Sequence, residues 1–291
     1  MRICFHIGAH ETDEDQLVKS LLKNAKTLLA ENVAVPGPGR YRPIINQVLD
    51  KLRGARASQD TQDVLLEQIL DADDTDRLVL SSPYFLSNHP GALRGGRLYP
   101  RAGAATLGLR NLFPDNEVEF FIAVRNPATF VPALHMRLQK APFAEYTAGI
   151  DPDTLIWSDV VRDIRAACPD APVTVWCNED TPLIWPEVMH RITGISPDIQ
   201  LKGGFDILSR IMAREGVKRL RAYLGAHPPG TEDQRRRILA AFLDKYALED
   251  EVEEELDLPG WTPELVDHFG DVYDDDMIEL SRIDGVRLIE A

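Results

Sequence analysis

Between Phe5 and Leu17 the chain reads FHIGAHETDEDQL. An apolar run, Ile3–Ile7, stops at Gly8, and a leucine-spaced amphipathic segment begins a few residues later. The turn between them carries His10, Glu11, Asp13, Glu14 and Asp15. A strand–glycine–helix turn suits phosphate, because glycine lets the backbone close in and the first helical N–H groups point at the anion. Such a cradle also needs a cation, and here carboxylates stand in its place. Three chemistries fit these residues. Acids at a helix N-terminus cap its free N–H groups and complement its dipole; Thr12 as N-cap with Asp15 at the third helical position makes an imperfect capping box. His10, Glu11, Asp13 and Asp15 offer enough oxygen and nitrogen donors for a divalent metal, at no established loop spacing. Alternatively, the acidic mouth takes a cationic head group, while Arg40, Tyr41, Arg42, Arg94, Arg97 and Arg101 of neighbouring loops hold an anionic part. His10, in the turn itself, is the candidate catalytic base.

Four apolar runs have strand length: Ile3–Ile7, Arg77–Ser82, Glu117–Val124 and Val173–Cys177. Helical spacing fills the intervals at Asp15–Glu31, Ile44–Leu52, Val64–Leu70, Ala104–Phe113, Thr129–Lys140, Thr154–Cys168 and Trp185–Thr193. Val35–Pro43 and Tyr84–Arg101 read as loops rich in glycine and proline. The last third reads helical at Asp206–Leu224, Glu232–Tyr246 and Pro263–Arg282, with an acidic, solvated run at Leu248–Asp257. Alternating strands and helices imply an α/β fold with a mostly parallel sheet. We expect a single domain over residues 1–291, with a helical C-terminal cover from about 204 to 291. Ligands of such sheets bind at the carboxyl ends of strands. Gly8–Asp15, Ser81–Arg101 and Arg125–Thr129 are therefore the segments to watch.

Composition narrows the class. The 291 residues are 44% hydrophobic and 27% charged, as in soluble globular proteins. No apolar run approaches the ~20 residues of a membrane span, and the N-terminus does not read as a signal peptide. A cytoplasmic location is expected. Cys4, Cys168 and Cys177 form no CxxC pair and read as buried free thiols. A net charge of −15 repels nucleic acid, and the Arg235-Arg236-Arg237 cluster reads as a solvated helix face. No GxSxG elbow, HExxH pair or GxGxxG loop is present.

The segments taken in order resemble the bacterial sulfotransferases of the P-loop superfamily. That family opens with a strand followed by HIGxHKTGTTxLQ; this chain keeps His6-Ile7-Gly8, His10, Thr12 and Leu17. ENVAVPGPG follows the first helix, Ser81-Ser82 end a strand, Arg125-Asn126-Pro127 follow another, and Gly285-Val286 stand near the end, as in the family. The resemblance covers nearly the whole chain and implies a P-loop sulfotransferase-like fold, a short parallel sheet flanked by helices with a helix-rich C-terminal part. It implies the donor 3′-phosphoadenosine 5′-phosphosulfate (PAPS) as cofactor. Gly8 and Thr12 match positions of the 5′-phosphate loop, and Arg125 matches the arginine that binds the 3′-phosphate. The chain also departs from the pattern. Glu11 replaces the loop lysine, Asp13 the glycine, and Glu14 and Asp15 the two threonines; Ala133 stands where a phosphate-binding serine falls, and Pro83 where SSE has its glutamate.

Charge weighs against donor binding. Unit charges ~4 Å apart interact by about 4 kcal/mol at an effective dielectric of 20, and lysine-to-glutamate replacement reverses that sign. A helix N-terminus returns at best ~2 kcal/mol per charge. The expected function is a sulfotransferase-like protein with lost or altered PAPS binding and a non-catalytic binding or regulatory role toward an unknown small molecule or protein. The alternative is an active sulfotransferase with an atypical donor loop, a hydroxyl or amine acceptor and His10 as base.

Overall fold

The computed structural model describes residues 1–72, 74–138, 141–248, 251 and 258–291. The first half contains β1 (Arg2–His6), α1 (Gln16–Leu22), α2 (Ala25–Ala30), β2 (Val33–Ala34), α3 (Pro38–Leu52), α4 (Gln59–Ile69) and β3 (Arg77–Ser81). A short helix α5 (His89–Ala92) and a small hairpin, β4 (Leu93–Arg94) with β5 (Arg97–Leu98), lead into α6 (Ala102–Leu112) and β6 (Glu117–Val124). Then come α7 (Pro127–Leu138), α8 (Phe143–Tyr146), α9 (Trp157–Ala167), β7 (Val173–Cys177) and α10 (Thr181–Thr193). The remainder holds α11 (Leu208–Ile211), α12 (Arg214–Ala226), α13 (Glu232–Tyr246), α14 (Pro263–Ser281) and β8 (Val286–Ile289).

Six strands form one sheet in the order β2-β3-β1-β6-β7-β8, and every pairing in it is parallel. The chain is thus α/β, a parallel sheet covered by helices on both faces. That is why the strands are near-continuous apolar runs. Alternate side chains feed two cores. Ile3, Phe5, Phe120, Ile122 and Val175 face the larger one, where Phe5 stacks 6.0 Å from Phe120. Cys4, Phe121, Ala123 and Trp176 face the other, beneath Leu17 and Leu21 of α1 and Ile184, Trp185 and Val188 of α10. A third, smaller cluster of Leu208, Met212, Val217, Leu220 and Leu239 joins α11, α12 and α13. No helix among the described residues is long and apolar enough to cross a membrane.

Several expected boundaries are corrected. The segment expected as one helix over Asp15–Glu31 is two, α1 and α2, divided at Asn24. Its buried amide donates to the carbonyls of Ser20 and Lys202, 2.9 and 2.8 Å away, and its Oδ1 accepts the Lys202 N–H at 2.7 Å. A side chain tied to a distant loop outweighs helix propensity there. The Val35–Pro43 loop gives way at Pro38 to α3, because proline's fixed φ suits a first helical position. This moves Arg40, Tyr41 and Arg42 onto a helix. Asp206–Leu224 also divides, into α11 and α12, and Tyr84–Arg101 contains α5 and the hairpin. Strands β2 and β8 were not expected. They are a two-residue and a four-residue edge strand, too short for an alternation to register. Gln139, Lys140 and most of the acidic run Leu248–Asp257 lie outside the described residues.

Candidate functional site

β1 lies between β3 and β6, so the three segments singled out in the sequence emerge side by side at the carboxyl ends of adjacent strands. Pairing continues past the end of β1. The Ile7 and Ala9 N–H groups donate to the carbonyls of Phe121 and Ala123, and Ala123 N–H donates to Gly8 O. Gly8 has φ 113°, in the region that favours glycine, and a Cβ there would lie 3.5 Å from the Pro83 carbonyl oxygen.

N–H groups at both ends of the loop have acceptors within the protein. His10 N–H donates to the Tyr99 hydroxyl at 2.9 Å. Leu17 N–H donates to Asp13 Oδ2 at 2.9 Å, Asp15 N–H to Asp13 Oδ1 at 3.3 Å, and Gln16 N–H to Asp13 O at 2.7 Å. Asp13, buried, is therefore the side chain that caps α1. This corrects the capping box centred on Thr12, whose hydroxyl instead donates to Ala9 O at 2.9 Å. Asp15 precedes the first helical residue rather than occupying the third helical position, and Glu11, Glu14 and Asp15 all adopt left-handed φ. The helix they would serve has seven residues. A dipole of that length, already capped by a carboxylate, leaves little positive field for a ligand.

Each remaining carboxylate has a basic partner. Glu11 accepts Arg137 Nε on both oxygens, at 3.1 and 3.0 Å, and His89 Nε2 at 3.0 Å. Glu14 meets Arg137 and Arg210 at 3.1 and 3.4 Å. Asp15 receives both terminal nitrogens of Arg42, at 2.5 and 3.1 Å, and these bonds hold its carboxyl below the usual carboxylate range. Arg42 also donates to Ser81 O, the oxygen that accepts the Tyr41 hydroxyl at 2.6 Å. Burial pushes Tyr41 up to about 12. The loop is thus tied to α3, α5, α7 and the segment before α12, and to the end of β3. The four oxygen and nitrogen donors of the metal alternative do not converge; among the described residues no group of three His, Cys, Asp or Glu is placed to hold a metal ion.

Arg125, buried at 8% exposure, donates through Nη1 to Glu11 O at 2.5 Å and through Nε to Thr129 Oγ1 at 3.0 Å. Its own carbonyl accepts the Trp157 indole N–H at 2.8 Å. The next residue, Asn126, gives its N–H to Glu179 at 2.8 Å, and Glu179 also accepts the Tyr273 hydroxyl at 3.2 Å. Asp276 of α14 accepts the N–H groups of Trp157, at 2.6 Å, and Ser158. Residues of the C-terminal third therefore hold the turn that presents Arg125.

His10 is fully buried. Its ring lies 4.5 Å from the His89 ring, centroid to centroid, and against Tyr84 and Tyr99. Tyr99 Oη, which accepts the His10 N–H, also lies 2.7 Å from His10 Nδ1. His10 Nε2 is buried and has no hydrogen-bond partner. Burial, then the neighbouring His89, pushes the His10 pKa down to about 4. His6 bonds Ser81 Oγ through Nδ1 at 2.9 Å and stacks on Trp176, and burial lowers its pKa.

Sequence reading named Gly8, His10, Glu11, Thr12, Asp13, Asp15 and Arg125, and the fold brings them together. It did not anticipate Tyr99, Arg137, Arg210, Trp157, Tyr273 or Asp276. His89 was noted, but without Glu11 as its partner. These lie 32 or more positions from what they touch, and no local pattern marks them. No family model matches the chain, and no curated protein matches it in sequence.

Proposed function

We propose that this protein is a sulfotransferase-like relative whose donor-phosphate loop is occupied by its own side chains, and that it acts as a non-catalytic binding or regulatory protein. The observation that carries the reading is the clamp on Glu11, with Arg137 and His89 on its carboxylate and Arg125 on its carbonyl. Where the resemblance implies a lysine facing a sulfuryl group, the chain has a carboxylate neutralised from within. A dianionic phosphate entering here meets carboxylates that already hold Arg137, His89, Arg210 and Arg42. To recruit the arginines it must first break their present pairs. The parallel sheet with its three loops at adjacent strand ends supports the fold side of the resemblance.

Sulfuryl-transfer assays with PAPS and a panel of hydroxyl and amine acceptors test the reading. The expected result is no release of the desulfated nucleotide above the enzyme-free rate. Acceptor-dependent release lost in Arg125→Ala would overturn it and favour the active alternative, in which PAPS is the cofactor.

A further inference from the structure

At the opposite end of the sheet lies a cleft of about 760 Å³. This size suits a small-molecule site. Its origin is visible in the strands. On the face under α10, the rows nearest the carboxyl end are apolar, with Phe121, Ala123 and Trp176. Toward the amino end the same face carries Glu119 on β6, Thr174 on β7 and Arg287 on β8, with Thr174 paired in register to both Phe121 and Arg287. α10 stops at Thr193, where Gly194 turns left-handed at φ 68°. A Cβ there would lie 2.8 Å from Arg77 Nε, so only glycine lets the backbone sit against that guanidinium. The amino-end rows are left uncovered by the helix.

The lining includes four arginines and three glutamates. Arg2 and Arg77 are engaged by Glu119, Arg191 by Glu187, and Glu187 and Glu232 also hold Arg236 and Arg235 from α13. His190 faces backbone carbonyls with both ring nitrogens. Arg287 is exposed, and its side chain has no ion pair or hydrogen bond among the described residues. The rest of the wall is apolar, from Phe121, Pro172, Pro186, Ile195, Pro197 and Val286. The cleft therefore offers one uncommitted planar cation above an apolar floor.

We infer that this cleft binds a small monoanion with an apolar body, a carboxylate whose head is held by Arg287 beside Thr174. A guanidinium fork matches a carboxylate in two parallel hydrogen bonds. One unpaired guanidinium suits a monoanion better than a phosphate dianion. The site lies at the far end of the strands from the first loop and does not depend on how that loop is read.

Calorimetry with hydrocinnamate, against its matching alcohol and inorganic phosphate, tests the assignment. Hydrocinnamate is expected to bind with Kd of about 1 mM or tighter. Arg287→Gln should weaken it by about tenfold or more, and Arg287→Lys less. Arg287 is exposed, so neither variant threatens folding. Methyl resonances of Ile195 and Val286 should shift on titration and those of Ile7 should not. Absence of binding at millimolar concentration, equal binding of the alcohol, tighter binding of phosphate, or a Kd untouched by Arg287→Gln would each overturn the proposal.

Discussion

Glu14 and Asp15 are neighbours in the first loop, yet their ion pairs differ in kind. Asp15 makes a two-point contact with Arg42, whose side chain is 21% exposed, whereas Glu14 and both of its arginines are about half exposed. Exposed pairs contribute about 0.2–1 kcal/mol, and charged hydrogen bonds with partial burial about 1.5–3. Asp15→Asn should therefore lower unfolding free energy by about 1–2 kcal/mol, and Glu14→Gln by less than about 0.5, measured by urea denaturation. Equal losses would mean that burial does not set the worth of these pairs. His10 gives a pH signature. Its folded pKa of about 4 lies below the ordinary 6.5, so between those values the unfolded chain binds more protons. Stability should hold above pH ~6.5 and fall as pH drops toward ~4, with His10 contributing up to about 3 kcal/mol. His6 adds in the same direction. Thermal melts of His10→Phe across that window should show a shallower acid loss than the wild type, and an unchanged slope would remove His10 from the account. The types and positions of these residues were legible in the sequence. Their partners were not, because Arg42, Arg137 and Arg210 reach the loop through tertiary structure alone.

At the scale of elements, α14 is the support for the Arg125 turn. Asp276, buried, caps α9 through the N–H groups of Trp157 and Ser158, and the Trp157 indole holds the Arg125 carbonyl. Asp276→Ala leaves those N–H groups without their carboxylate and should cost about 1–3 kcal/mol. It should also speed hydrogen exchange at the Asn126 amide more than at β1 amides. Uniform change across the sheet would show that α14 stabilises without positioning. A second element prediction concerns α12 and α13. A Cβ at Gly216 would fall 2.4 Å from Tyr246 Cβ, so Gly216→Ala should cost about 1–3 kcal/mol by overpacking despite alanine's better helix propensity. A rise in the denaturation midpoint would contradict the close packing. The strong strands and long helices were readable because periodicity there spans many residues. β2, β8 and the break at Asn24 were not, because pairing and a buried amide decide them rather than any local pattern.

At the scale of the whole molecule, the sheet's two ends differ in how their charges are paired. The carboxyl end carries a loop closed by its own charges, and the amino end an open cleft with one uncommitted arginine. The parallel sheet and the placement of the three loops followed from the order of strands and helices. That the loop would be locked from α3, α5, α7 and beyond depended on the three-dimensional arrangement of basic residues scattered through an acidic chain. The central claim is that this locked loop does not take the donor nucleotide. Calorimetric titration with 3′-phosphoadenosine 5′-phosphate, on the wild type and on Arg125→Ala, tests it most directly. The account predicts no saturable heat at millimolar ligand for either protein. Micromolar binding by the wild type, abolished in Arg125→Ala, would contradict it, because the carboxylates would then have to swing away and leave Arg125 to the phosphate.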